Sequence, residues 1–112
     1  MDYETKELNG VTFLSIYTKR ATADIAKEFK TYLFSLIERD EKKKIIIDLT
    51  NVEFVDSSFL GAIVSGLKKV TGIKGDIKVL GLQPPVRAMF ELTRLYKVFE
   101  IFDSRDDAVL SF

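Results

Sequence analysis

The sequence contains no cysteine and no histidine. The first absence removes disulfides, thiolate nucleophiles and zinc–thiolate sites. The second removes the commonest general base and the commonest metal ligand. Neither sign of charge dominates. Seventeen basic residues face seventeen acidic ones and the formal net charge is zero, whereas a nucleic-acid binder normally shows a basic excess. No apolar run approaches the ~18 residues of a membrane span. The opening Met1-Asp2-Tyr3-Glu4 lacks the pattern of a secretory signal. A cytoplasmic protein with no membrane or nucleic-acid partner is therefore expected. Glycine-rich phosphate loops are missing too: there is no G-K-[ST] and no G-x-G-x-x-G, so the chain is not expected to hold ATP by itself. No catalytic residue, metal site or cofactor is expected.

What is present suits one folded domain. The 112 residues are 46% hydrophobic and 30% charged, enough for a single core spanning residues 1–112. The chain is organised around Lys44 to Val70. Ile45-Ile46-Ile47-Asp48-Leu49 is rich in β-branched residues, which crowd a helix but suit a pleated surface, and predicts a buried central strand. Val52, Phe54 and Val55 return to the core. Asp56-Ser57-Ser58 then opens a helix, because Asp and Ser oxygens accept hydrogen bonds from first-turn amides.

That helix has two unlike faces. Phe59, Leu60, Ile63, Val64, Leu67 and Val70 fall on an apolar side. Ser58, Gly61, Ala62, Ser65 and Gly66 fall on a smooth one. Glycine inside a helix costs about 1 kcal/mol relative to alanine, so two of them need a steric reason. Close packing against a sister helix is one; a docking surface for another protein is the other. The serines also admit two roles. One is a plain N-cap. The other is a modification site, where a phosphate would meet free amides and the positive end of the helix dipole.

Elsewhere the order of elements is plain. Tyr3–Leu8 and Val11–Tyr17 predict antiparallel strands joined at Asn9-Gly10, a strong two-residue hairpin signal. Thr18 to Thr22 is a loop, with Thr22 as helix cap. Ala23–Arg39 is amphipathic: Ile25, Phe29, Leu33, Leu36 and Ile37 line its core face, while Tyr32 and Phe34 lie partly off it and offer a patch for a partner or second copy. Glu38 to Lys44 is a mixed-sign solvated turn. Gly72 suits a left-handed helix exit. Ile77–Leu80 is a strand. Pro84-Pro85 opens a third helix that buries Val86, Met89, Phe90 and Leu92. Val98–Phe102 reads as a last strand, and Asp103 or Ser104 caps a final helix reaching about Leu110. Strands alternating with helices after a hairpin imply an α/β fold: a mixed sheet of four to five strands with a parallel centre, right-handed crossovers and about four helices.

Asp56-Ser57-Ser58-Phe59-Leu60-Gly61, between a buried strand and a helix, resembles the D-S-[ST]-G-L-G pattern of the STAS domain, and of the anti-sigma factor antagonists in particular. Two further stretches match in order. Pro84 to Phe90 with Leu95-Tyr96-Lys97-Val98-Phe99 is similar to the family's P-x-V-x-x-[LM]-F followed by L-[FY]-K-[IV]-[FI], and Asp103 to Ala108 to its closing S-x-x-x-A helix. The resemblance implies a bacterial phosphoprotein that is not an enzyme. Unmodified, it binds an anti-sigma factor serine kinase and so frees the sigma factor. Phosphorylation of Ser57 switches binding off, and a metal-dependent serine/threonine phosphatase reverses this. Ser58 is a competing acceptor. The partner would be met by Asp56, Ser58, Phe59, Gly61, Ala62 and Thr22, and the free protein would be a monomer or weak dimer. The alternatives are a non-enzymatic subunit of a lipid-transport ATPase or of a sensory scaffold.

Three departures from the pattern carry expectations of their own. Phe59 stands where glycine is usual, and its ring turns either into the core or toward the partner. Thr22 stands where Asp caps the first helix. That removes a negative charge near Ser57, while Lys19 and Arg20 add two cations that either ease a phosphoserine or point into water. Arg94 stands where glycine suits a left-handed helix exit, and either bears a strain of about 1 kcal/mol or extends the helix.

Overall fold

Asn9 and Gly10 take φ of 52° and 79°, the sign a type I′ turn requires at both central residues. They join β1 (Tyr3–Leu8) to β2 (Val11–Ile16) in the antiparallel register Leu8↔Val11 to Tyr3↔Ile16. The computed structural model describes residues 1–112. After the hairpin come β3 (Arg20–Ala21), α1 (Ala23–Glu38), β4 (Lys44–Asp48), β5 (Phe54–Val55), α2 (Ser57–Thr71) and β6 (Asp76–Leu80). Then follow α3 (Pro84–Leu92), a 3₁₀ turn (Leu95–Lys97), β7 (Ile101–Phe102) and α4 (Arg105–Leu110). Five strands form the main sheet in the order β1-β2-β4-β6-β7, with every pair beyond the hairpin parallel. The expected α/β sheet with a parallel centre and four helices is thus the observed one. β3 and β5 form a separate parallel pair.

Alternation along the strands sorts residues onto two faces. Leu14, Ile47, Val79 and Ile101 line up across the sheet on one face. That face packs against α1, α2 and α3 in a core of 23 buried residues that includes Phe29, Leu33, Phe59, Val86 and Phe90. The opposite row of Phe13, Ile46 and Lys78 lies on the face covered by α4. Ala108 joins Val11, Phe13, Ile46 and Leu80 in a smaller cluster there. Lys78 is buried but paired, its Nζ 2.8 Å from Glu100 Oε1, as a buried ammonium must be.

In several places the structure departs from the sequence pattern or decides between its alternatives. Ala62 and Gly66 belong to the buried side of α2, and a β-carbon on Gly66 would overlap Leu33 of α1. Close helix packing explains that glycine. Gly72 is right-handed, with φ −62°, and Lys74 takes the left-handed position instead, with φ 63°. The helix closes there because the Gly75 amide donates to the Val70 carbonyl at 2.9 Å. Leu92 is 78% exposed, because α3 ends at it and turns away. Val98 is exposed as well: Leu95–Lys97 wind into the 3₁₀ turn, and the last strand begins only at Ile101. Arg94 takes φ 60°, so it bears the left-handed conformation rather than extending the helix.

Candidate functional site

The polypeptide leaves β4 at its carboxyl end through an Asx turn. The Asp48 side chain accepts from the Thr50 amide at 3.0 Å and from its hydroxyl at 2.5 Å. Val52 and Val55 then anchor the segment in the core. The β3–β5 pair, Arg20↔Phe54 and Ala21↔Val55, zips this segment to the one that precedes α1. Glu53 adds a bond from its amide to the Lys19 carbonyl at 2.7 Å. The starts of α1 and α2 are thereby brought side by side, beyond the carboxyl edge of the parallel sheet, where sites in open α/β folds tend to lie.

Asp56 is the N-cap of α2, extended at φ −118°, ψ 177°. Its Oδ1 accepts the Phe59 amide at 3.0 Å. Its Oδ2 accepts the Ala23 amide, the first of α1, at 2.9 Å. Thr22 occupies the N-cap position of α1 but makes no side-chain cap bond. The expected Thr22 cap is therefore replaced by one from Asp56, across 33 residues of sequence.

Ser57 and Ser58 follow, both exposed in the first turn of α2. Gly61, one turn further, is exposed, and a β-carbon there would meet nothing within 4 Å. Packing therefore explains Gly66 but not Gly61. Asp56 and Thr22 are half-buried. Phe59 is fully buried, its ring centroid 4.6 Å from that of Phe29, and Ala62 is buried beside it. Both were expected among the partner-facing residues, and both are core. The apolar stripe of α2 is wider than its strongest hydrophobics suggest, because α1 covers one flank and the sheet the other.

Lys19 and Arg20 have partners of their own. Lys19 Nζ lies 3.9 Å from Glu53 Oε2, and the Arg20 guanidinium sits 4.5 Å over the Phe54 ring. Half-buried Phe54 with its stacked arginine is a feature of this edge that sequence reasoning missed. In the sequence Phe54 reads simply as core, and two-residue strands are too short for periodicity to register. Tyr32, the other candidate surface aromatic with Phe34, packs on β1 instead: its hydroxyl is 2.6 Å from Thr5 Oγ1 and its ring 4.6 Å from Tyr3. Phe34 is half-buried between Lys30 and Lys69. Away from the serines, a cavity of about 450 Å³ opens between α3 and β7, lined by Arg87, Phe90, Glu91, Tyr96 and Ile101. No helix is long and apolar enough to cross a membrane.

A family model described as the STAS domain matches residues 3–108. The chain is 32% identical over 73 residues to the anti-sigma F factor antagonist of Paenibacillus polymyxa, a stretch covering 65% of this chain and 62% of that protein. An anti-sigma factor antagonist from Mycobacterium paratuberculosis superposes with a TM-score of 0.88 at 24% identity, over 98% of this chain and 92% of that one. The Bacillus anti-sigma factor antagonist SpoIIAA matches in its unphosphorylated form with a TM-score of 0.75 at 13% identity, over 98% of this chain and 96% of that one. Its phosphorylated form matches with a TM-score of 0.74 at 14% identity, over 96% of each chain.

Proposed function

The chain belongs to the STAS domain family, and from that premise we propose that it is an anti-sigma factor antagonist switched by phosphorylation of Ser57. It acts in the bacterial cytoplasm as a binding protein, not a catalyst. The observation that carries this is the exposed Ser57 at the start of α2, held next to the Asp56 carboxylate. In the unmodified state a neutral hydroxyl, Ser58 and bare Gly61 form a surface on which an anti-sigma factor kinase can lie without desolvating a charge. The kinase brings its own ATP. The Ser57 Oγ attacks the γ-phosphorus, the bond to the leaving ADP breaks, and the hydroxyl proton goes to a base on the kinase. This chain has no histidine to take that proton.

Phosphorylation then adds a charge of roughly −1.5 to −2 beside Asp56. Covering that charge requires desolvating it against a carboxylate, which opposes binding. A 100-fold loss of affinity needs only about 2.7 kcal/mol. A metal-dependent serine/threonine phosphatase resets the switch.

The test is incubation of the purified protein with ATP and each kinase-type anti-sigma factor of the same genome, the phosphate then being located by mass spectrometry. The expected result is phosphate on Ser57, absent from Ser57→Ala. Phosphate on Ser58 alone would move the site. No phosphate with any candidate, together with tight binding to a lipid-transport ATPase or a sensory scaffold, would overturn the proposal.

A further inference from the structure

One carboxylate serves two helices. Asp56 Oδ1 takes the Phe59 amide of α2 and Oδ2 takes the Ala23 amide of α1, at 3.0 and 2.9 Å. Thr22 has the extended backbone of an N-cap, φ −127° and ψ −169°, yet its side chain makes no cap bond. The first turn of α1 thus depends on a residue from another element, and that residue directly precedes Ser57.

We propose that Asp56 is a positioning residue that couples the state of Ser57 to α1: phosphate on Ser57 displaces the Asp56 carboxylate from the Ala23 amide and unfastens the first turn of that helix. The inference rests on the phosphorylation of Ser57 proposed above. Its physical basis is competition. A phosphoserine at the first position of α2 brings three strong acceptor oxygens and about two negative charges beside an existing carboxylate. Both anions are drawn to the same positive helix end, and they repel each other. The carboxylate has no rotation that relieves this repulsion while keeping both amides, because its two oxygens point at different helices. The Ala23 amide has no substitute acceptor in the chain, because the N-cap side chain of its own helix reaches only the second and third amides. Further along, the helices remain clamped by the Phe29–Phe59 contact and by the close approach of Gly66 to Leu33, so the change is confined to the start of α1. Phosphorylation is then read at the beginnings of two helices, and a partner that touches both senses a shape change as well as a charge.

The identity of residue 22 sets this coupling. Asparagine is among the strongest N-caps, accepts from the second or third amide of its helix and adds no charge, so Thr22→Asn fastens the first turn of α1 at Ile25 even when Asp56 lets go of the Ala23 amide. The experiment installs phosphoserine at position 57 during translation of the full chain, so that no kinase is needed. It then reads the Ala23 and Ile25 amides by NMR shift and hydrogen exchange, in wild type and Thr22→Asn, each with and without phosphate; the Ile25 amide donates to the Thr22 carbonyl at 3.0 Å and reports the first turn. The expected result is exchange at Ala23 and Ile25 about five- to tenfold faster on phosphorylation of wild type, the size of one lost cap bond, and under about twofold faster at Ile25 in Thr22→Asn. An Ala23 amide that does not respond in phosphorylated wild type would overturn the inference, as would an Ile25 amide that responds equally in wild type and Thr22→Asn. Failure of every kinase to modify Ser57 would instead strike the functional proposal and leave this result standing.

Discussion

Gly61 and Gly66 sit five residues apart in α2 and answer to different forces. A methyl at Gly66 would overlap Leu33, so Gly66→Ala trades a gain of about 1 kcal/mol in helix propensity against an overpacking cost of about 1–3 kcal/mol. A methyl at Gly61 meets nothing within 4 Å. Gly61→Ala should therefore raise stability by close to 1 kcal/mol, a rise in Tm of roughly 4 °C for a chain of this size. Thermal unfolding of the two variants checks this, and a loss in Gly61→Ala would contradict it. Under the proposed function the same variant binds the anti-sigma factor more weakly, since its surface is no longer bare. Arg94 makes a third case. It holds φ 60°, a left-handed conformation that costs a residue with a β-carbon about 1 kcal/mol. Arg94→Gly is expected to raise the denaturation midpoint at unchanged m-value, and an unchanged or lower midpoint would show that the arginine side chain offsets the strain.

Individual elements were legible in proportion to how local their causes are. The hairpin follows from Asn9-Gly10 alone, α1 was expected over Ala23–Arg39 and is found over Ala23–Glu38, and Ser104 caps α4 through the Asp107 amide. What escaped the sequence is set by distant partners. The β3–β5 pair has two residues per strand, too few for a pattern. The α1 cap comes from Asp56, and no spacing rule reaches that far. The left-handed exit of α2 falls on Lys74 rather than on either neighbouring glycine, because the backbone geometry that closes on Val70 places it there. Phe59 was open to two interpretations until the position of α1 closed one of them.

The edge strand β1 carries a pH prediction. Lys42 lies 2.9 Å from Glu7 Oε1, and Thr12 donates to the same oxygen at 2.7 Å. The hydrogen bond from Lys42, then that from Thr12, hold the Glu7 carboxyl below its ordinary value of 4.5. A carboxyl lowered by folding contributes stability that is fully present above its unfolded value. That contribution is lost as pH falls through the lower folded value. Glu7→Gln should therefore flatten the acid limb of a stability–pH curve below about pH 4.5 and change its slope little near neutrality. Parallel curves for wild type and variant would contradict the assignment. The pair is half-exposed, so salt should weaken the effect.

At the scale of the whole molecule, the sheet and helices serve to hold two loop ends together. The parallel centre brings both helix starts to one edge, β3–β5 fastens them, and Asp56 caps both. The sheet's other face, closed by α4 over Phe13, Ile46 and Leu80, completes the core without approaching the serines. The fold class and the place of Ser57 at a helix start were readable in advance, because the apolar run of β4 and the cap after it are local signals. The partition of α2 into packed and bare residues was not, since Ala62, Gly66 and Gly61 differ only in what lies opposite them. Under the proposed function, with no net charge to steer the chain toward an acidic or basic partner, recognition rests on the shape of this edge and on whether a phosphate stands on it. The most direct test is calorimetric titration of a kinase-type anti-sigma factor with the unmodified chain and with the chain carrying phosphoserine at 57. Tight binding of the first and at least about 100-fold weaker binding of the second are expected; equal affinity for the two forms would rule out a switch at Ser57.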